Sequence, residues 1–251
     1  MNGYIRCIAT IFGSYAHLQF GSSQVINIMH ELEEFDVIPN IHDEMHIEIV
    51  NNIPSQKIVK RAQFISEKEK LRITINGNNI IIESDVAIDE SKNISVTRIE
   101  NFVENVKKIY SILYRIIDSK ANRVSLITTY LNEDNDQNRY EKHVVADNFF
   151  KGKDVFEWNL RSVIREKVSI NGHDEEINVV SSISRSKGAF GSVSPTPQNY
   201  EFQGTVFDID INTIPENIEH RIDDAFLSNF YDYALNLKSM IERESGSYGQ
   251  E

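Results

Sequence analysis

Hydrophobic residues recur along the chain in two rhythms, and each rhythm predicts a different element. Residues 4–12 (YIRCIATIF) are β-branched or aromatic at odd and even positions alike, which is typical of a strand buried on both faces. Ser22 or Ser23 then caps a predicted helix that ends before Pro39. The apolar residues of this helix recur every three or four positions: Val25, Ile28, Met29, Leu32 and Phe35.

Shorter apolar segments after Pro39 predict strands joined by tight turns. We expect strands over residues 46–51, 58–66 and 70–76. The dipeptide Asn76-Gly77 predicts a two-residue hairpin turn, because both residues accept the positive φ of a type I′ turn. A long helix follows over 98–118, since apolar residues line one side of it.

The second half of the chain repeats this order of elements. Its predicted elements are strands at 122–131, 155–170, 175–185 and 199–212, and a short helix at 139–150. Asn171-Gly172 predicts a second tight turn, between the second and third of these strands. Thr213-Ile214-Pro215-Glu216 has the spacing of a capping box and predicts the start of the terminal helix. An apolar stripe would then follow: Ile218, Ile222, Phe226, Phe230, Tyr233, Ala234, Leu237 and Ile241.

The order of elements predicts an α+β fold with two similar halves. Each half would be an antiparallel sheet packed against helices. The expected boundary near residue 120 divides the chain into an N-terminal α+β half (1–120) and a C-terminal α+β half (121–251). The halves form either two domains or one continuous domain with a sheet across the join.

Three segments together resemble a sporadically distributed family of bacterial proteins of unknown function. They are RAQFISEKEKLRITINGNNIIIES at 61–84, RVSLITTYLN at 123–132 and GTVFDIDI at 204–211 before a terminal helix. The resemblance implies no activity and no catalytic residues. The patchy distribution of the family implies an accessory gene, for example one linked to mobile elements or defence.

Composition narrows the classes of protein that fit. The chain has 251 residues, a formal net charge of −12 and one cysteine, Cys7, so it has no internal disulfide and no cysteine-based zinc site. We expect a cytoplasmic protein, because the first residues lack a signal-peptide pattern and no apolar run approaches the roughly 20 residues of a membrane span. The negative charge also argues against broad binding to nucleic acid or to anionic membranes.

Asp208 and Asp210 are the candidate metal ligands. They share a parity in a predicted strand, so both carboxylates point to one face, where two carboxylates suit Mg²⁺. The alternative is a solvated polar face of an amphipathic strand. His42 and His46 are not expected to chelate one ion, because residues four apart on a strand lie about 13 Å from each other.

Basic residues in two segments are candidate anion or nucleic-acid contacts. Lys57, Lys60 and Arg61 lie in a basic strip over residues 55–72. Strand 155–170 carries Arg161, Arg165 and Lys167 at one parity. Lys187 lies in the glycine-rich segment 186–192, which we interpret as a long connection between strands or a mobile binding loop. Solvated strand faces are the simpler interpretation of these charges.

The function that fits best is a non-enzymatic binding or assembly component acting through protein–protein contacts. The sequence has no nucleophile elbow, no phosphate-binding glycine loop and no dinucleotide-binding fingerprint, so we assign no catalytic residue and no cofactor. A protein partner or a homo-oligomer is expected. The alternatives are a nucleic-acid-binding module and a metal-dependent phosphoester hydrolase centred on Asp208 and Asp210.

Overall fold

The computed structural model describes residues 2–50, 53–85, 87–88, 94–95, 98–132, 157–191 and 199–247. The short helix expected at 139–150 lies outside these residues, as do residues 192–198 between the predicted strands 175–185 and 199–212.

The described residues form eleven strands. They are β1 (Asn2–Phe12), β2 (Val37–Val50), β3 (Ile53–Ser66), β4 (Leu71–Ile75), β5 (Asn79–Asp85), β6 (Ala87–Ile88), β7 (Ile94–Ser95), β8 (Arg123–Asn132), β9 (Trp158–Ile170), β10 (His173–Gly191) and β11 (Asn199–Thr213). Nine of them make one sheet in the order β2-β3-β4-β5-β1-β8-β11-β10-β9, and every neighbouring pair is antiparallel. β6 and β7 pair separately. The prediction of an α+β fold built on antiparallel strands is confirmed.

Three α-helices of the described residues, α1 (Ser23–Glu31), α2 (Ile99–Ile117) and α3 (Asp224–Ser247), pack on one face of the sheet. A 3₁₀ turn at Glu33–Phe35 follows α1. The side chain of Ser22 caps α1 by accepting the N–H of Val25 at 3.3 Å, as the sequence predicts. None of these helices has the length and apolar character needed to cross a membrane.

The hydrophobic core lies between the helices and the sheet. Cys7, Ala9 and Ile11 of β1 point into it and are fully buried. The apolar stripe of α2 covers them, as its helical spacing predicts. β1 and β8 pair along their lengths in the middle of the sheet, so the sheet is continuous across the predicted boundary near residue 120.

The terminal helix begins later than its sequence predicts. β11 continues to Thr213, and α3 starts at Asp224. The cap is Asp223, whose Oδ1 accepts the N–H of Phe226 at 2.9 Å. Ile218, which the predicted stripe placed on the buried side, is 76 % exposed. Ile222 instead forms a bridge with Ala121, and this pairing holds the preceding segment outside the helix.

The two Asn-Gly turns differ. Asn171 and Gly172 have φ of 51° and 76°, as the predicted type I′ turn requires. Gly77 is not among the residues of positive φ, so the prediction for Asn76-Gly77 is wrong in turn type although right in position. The glycine-rich segment is also corrected, since residues 186–191 continue β10 rather than form a connection.

Candidate functional site: the two edges and the polar face of the sheet

β2, at one edge of the sheet, has lost two neighbouring hydrogen-bond donors. Pro39 has no N–H. Two residues on, the N–H of Ile41 is bonded to the side-chain Oδ1 of Asn40 at 2.8 Å rather than to β3. The backbone N–H positions of residues 39 and 41 are both on the side of the strand that faces away from β3. β2 therefore cannot offer a continuous ladder to another strand at this point.

β9, at the opposite edge, has no such obstruction. The two-residue turn at 171–172 makes Ile170 and His173 a hydrogen-bonded pair, so odd-numbered residues of β9 direct their N–H and C=O groups outward. Residues 158–170 contain no proline. Among the described residues, no strand pairs with this outer edge. Residues 159–165 are all exposed.

Large exposed hydrophobic side chains concentrate at both ends of the sheet. Twelve such side chains are exposed among the described residues, and eight of them belong to β2, β3 and β9. They are Ile38, Ile41, Met45, Ile47, Ile58, Leu160, Val163 and Ile164. Because this concentration is at the strands with unpaired edges, these strands are the candidate interaction surfaces of the molecule.

β2 and β3 extend past the rest of the sheet as a two-stranded arm. β4 pairs only with Gln63–Ser66 of β3, whereas β2 pairs with β3 along its whole length. Four of the exposed side chains share the helix-side face of this arm: Ile41, Met45, Ile47 and Ile58. This arm carries the larger of the two exposed apolar surfaces.

An ion pair between a buried arginine and a partly exposed glutamate anchors the base of the arm. Arg61 is 1 % exposed, and its Nε donates to Glu44 Oε2 at 2.6 Å. Its Nη1 donates to the carbonyls of Ala16 and Leu18, at 2.8 Å and 3.3 Å. The backbone N–H of Gly77 donates to the same Glu44 carboxylate at 3.1 Å. This network joins the arm to the turn between β4 and β5.

The charge of Glu44 is favoured by its partners. Desolvation raises the pKa of its carboxyl, but the hydrogen bonds from Arg61, Gly77 and His46 outweigh it, so the pKa lies below its ordinary value. A Cβ added to Gly77 would lie 2.9 Å from Nη2 of Arg61. A side chain at position 77 would therefore have to displace the Arg61 guanidinium, so glycine is favoured there by this close approach and not by its φ.

The basic strip of residues 55–72 is not one surface. Arg61 is removed from it by burial, so its guanidinium cannot bind an external anion. Lys57 and Lys60 are exposed, but they differ in parity and point to opposite faces of the arm. Lys187 is exposed near the far end of β10, opposite Gln203. The structure does not bring these four residues together.

Asp208 and Asp210 share the face of the sheet that is turned away from the helices, the polar face. Thr129 donates its hydroxyl to Asp208 Oδ1 at 2.7 Å, and Asn212 donates its amide to Asp210 Oδ1 at 3.0 Å. Burial raises the pKa of the Asp210 carboxyl, although Asn212, Arg123 and Arg161 act in the opposite direction. No group of three His, Cys, Asp or Glu side chains with a metal-binding arrangement occurs within the described ranges.

Arg161, Arg165 and Lys167 lie on this polar face too, as their parity predicts. Arg165 is engaged there, since its Nε donates to Asn178 Oδ1 at 2.9 Å and its Nη2 to Glu216 Oε1 at 3.1 Å. Lys167 lies 3.5 Å from Glu176. The basic row is thus interleaved with carboxylates and is not a continuous cationic patch.

The cluster of Tyr4, Lys238 and Glu242 was not predicted from the sequence. A register shift in β1 turns Tyr4 to the helix side, where its hydroxyl donates to Glu242 of α3 at 2.7 Å. The Nζ of Lys238 donates to the same carboxylate at 2.7 Å and lies 4.5 Å above the Tyr4 ring. Burial raises the pKa of Tyr4. The tyrosine and glutamate are 238 positions apart, so no spacing in the sequence indicates this contact.

The chain was compared with models of protein families and with curated proteins, and neither comparison finds a match. The resemblance to a sporadically distributed bacterial family therefore stays a prediction.

Proposed function

We propose that this chain is a non-enzymatic binding or assembly component that acts through protein–protein contacts at the ends of its sheet. The observation that carries the proposal is the concentration of exposed apolar side chains on β2, β3 and β9. Apolar surface of this kind is stabilised when a partner removes it from water.

The two ends suit different modes of contact. The arm offers an apolar face but an obstructed edge, which favours packing of a partner onto the face. β9 offers an unobstructed edge with apolar side chains on both sides of the strand, Leu160 and Ile164 on one and Val163 on the other. An edge of this kind favours addition of a partner strand, with main-chain hydrogen bonds supplying affinity and side chains supplying specificity.

We also propose that the two halves of the chain are similar units and that the protein is cytoplasmic, an accessory protein of bacteria. The order of pairing supports the first part. β1 neighbours β5, the last strand of its own antiparallel series, and β8 neighbours β11 in the same way, with α2 and α3 following β5 and β11 in the chain. A duplicated unit would produce this arrangement when its two first strands pair.

Nucleic-acid binding is the second candidate, and the shared face of Arg161, Arg165 and Lys167 favours it. The carboxylates among these residues and the net charge of −12 oppose it. Binding to short oligonucleotides that weakens steeply with salt would support this candidate. For the hydrolase alternative, Mg²⁺ binding that is lost in Asp208→Asn with Asp210→Asn is the corresponding test.

The binding proposal is tested by obstructing β9. Val163→Pro removes an outward N–H at a position where an edge strand tolerates proline, and Val163→Thr is the matched control that keeps it. Tagged wild type and both variants are expressed in the native host and their complexes are quantified by mass spectrometry and light scattering. We expect the wild type and Val163→Thr to form the same complex and Val163→Pro to lose it at least tenfold. Complexes that are equal in all three proteins, or a wild type that binds neither itself nor another protein, would contradict the proposal.

A further inference from the structure

We infer that the occupant of the β9 edge is β9 of a second copy of this chain, paired antiparallel about a two-fold axis through Ser162. This inference depends on the proposed function and names the partner. The resulting sheet would run through both copies without a break.

The outward groups restrict the position of the axis. Odd-numbered residues of β9 direct their N–H and C=O groups away from β10, so odd residues of one copy must face odd residues of the other. In an antiparallel pair of identical strands this condition is met only when the two-fold axis passes through a residue. Each candidate register is therefore labelled by one residue of β9.

The charges select among these registers. An axis at Arg161 sets that residue against itself, an axis at Val163 sets Arg161 against Arg165, and an axis at Ile164 sets Arg161 against Lys167. Like charges directly opposite each other destabilise a strand pair.

An axis at Ser162 avoids every such pair. Arg161 then faces Val163 of the second copy, and Leu160 faces Ile164 of the second copy. Asn159 faces Arg165. This register covers the three exposed apolar side chains of β9, which are 46 % to 50 % exposed in the single chain. An axis at Arg165 sets that residue against itself, and axes nearer still to either end of β9 leave some of the three apolar side chains unpaired.

An acidic partner strand suits the edge less well than a second copy. Arg165 and Lys167 already have the carboxylates of Glu216 and Glu176 beside them, so they do not require acids from a partner. The apolar residues of β9 would face charged side chains in such a complex. A second copy sets Leu160 and Ile164 against each other, apolar against apolar, and sets Val163 against the aliphatic stem of Arg161.

The two partners also predict opposite responses to salt. Each copy carries a net charge of −12, so association of two copies is opposed by long-range repulsion that added salt screens. Binding of an acidic strand to a basic edge would weaken with salt. Because a single strand pair makes a small interface, we expect a weak dimer that forms at high protein concentration.

The experiment is disulfide trapping at the axis. In this register the two Ser162 residues face each other as a non-hydrogen-bonded pair of the strand ladder. The Cα atoms of such a pair lie about 4.5 Å apart, within the range that a disulfide bridges. Ser162→Cys places a thiol there, and Ser169→Cys is the matched control, an exposed serine of the same strand outside the overlap. The native Cys7 is buried and serves as a common background.

Under mild oxidation we expect Ser162→Cys to form a covalent dimer at least tenfold faster than Ser169→Cys, and faster still with added salt. Val163→Pro in the Ser162→Cys background should abolish the difference. Equal rates, or faster trapping of Ser169→Cys, would overturn the register and the inference. A chain that stays monomeric by light scattering but binds another protein through an intact Val163 position would overturn the inference and leave the proposed function standing. A chain that associates neither with itself nor with another protein would contradict both the inference and the proposed function.

Discussion

The two edge strands of this sheet have almost the same length, 14 residues in β2 and 13 in β9. They differ in whether their outward backbone N–H groups are free to pair with another strand. β2 has lost donors at Pro39 and at Ile41, whose N–H is taken by Asn40. β9 keeps every outward N–H of its length. Proline on an edge strand is one of the devices that prevent sheet extension, and an N–H already bonded to a side chain has the same local effect. Among the described residues, only the β9 end of this sheet therefore has an unobstructed edge.

The two ends also differ in how they are attached to the molecule. The arm of β2 and β3 is anchored through Arg61 and Glu44, which join four separate segments of the chain. β9 is attached through its pairing with β10 and the type I′ turn at 171–172. Perturbations of the anchor should therefore cost stability, whereas perturbations of the β9 edge should change association.

Arg61→Met is expected to have the largest effect on stability. It removes the charged hydrogen bond to the partly exposed Glu44 carboxylate and leaves the carbonyls of Ala16 and Leu18 without their donor, which costs about 1.5–3 kcal/mol. Urea unfolding measures the loss. Arg161→Met on exposed β9 is the comparison, and it should change stability by about 0.5 kcal/mol or less. Equal effects of the two substitutions would show that Arg61 is not an anchor.

Alanine at the two Asn-Gly turns should separate their roles. Gly77→Ala forces a Cβ against Arg61, and we expect about 1–3 kcal/mol of destabilisation from this overpacking. Gly172→Ala should cost about 1 kcal/mol, because its φ of 76° is unfavourable for alanine. In an Arg61→Met background the cost of Gly77→Ala should fall and that of Gly172→Ala should not. A double-mutant cycle measures both, and additive costs at Gly77 would contradict the contact explanation.

Restoring the donors of β2 should make the two edges alike. Pro39→Val with Asn40→Val frees two adjacent outward N–H groups, and we expect association to strengthen by about tenfold, ~1.4 kcal/mol. Sedimentation or light scattering over a range of concentrations gives the dissociation constant. Asn40→Val alone frees one donor and should have a smaller effect. A double variant with the dissociation constant of the wild type would show that the missing donors of β2 do not limit association at that edge.

Acid should act in opposite directions on two carboxyls. The pKa of Glu44 is lowered in the folded state, so its stabilising contribution is complete above the unfolded pKa and is lost as pH falls through the folded pKa. Stability curves of Glu44→Gln against pH should consequently be flatter in acid than those of the wild type. A variant as acid-sensitive as the wild type would assign the sensitivity to other groups.

The pKa of Asp210 is raised in the folded state, mainly by burial. Its ionised form therefore destabilises the fold at neutral pH, and this penalty disappears as pH falls through the folded pKa. Asp210→Asn is expected to be slightly more stable than the wild type at neutral pH, with an advantage that shrinks on acidification. Unfolding in urea at several pH values checks the sign, and an advantage that grows in acid would contradict it.

The sequence by itself determined the local elements. The spacing of apolar residues located α2 to within one residue at each end, and it located the start of α1. α1 ends at Glu31, earlier than predicted, and Phe35 of the predicted stripe lies in the 3₁₀ turn that follows. Asn171-Gly172 indicated a turn whose φ values only such residues adopt readily. Parity placed Asp208 with Asp210 and Arg161 with Arg165, because alternation along a strand is a local property.

The tertiary structure decided everything that depends on distant segments. It buried Arg61, which its neighbours in the sequence presented as part of a basic strip, by supplying Glu44, Ala16 and Leu18 as partners. It also decided which strands became edges, since the order of strands in a sheet is set by long-range pairing and not by any one strand. The residues of a strand determine whether its edge can pair, but only the assembled sheet determines whether that edge is exposed.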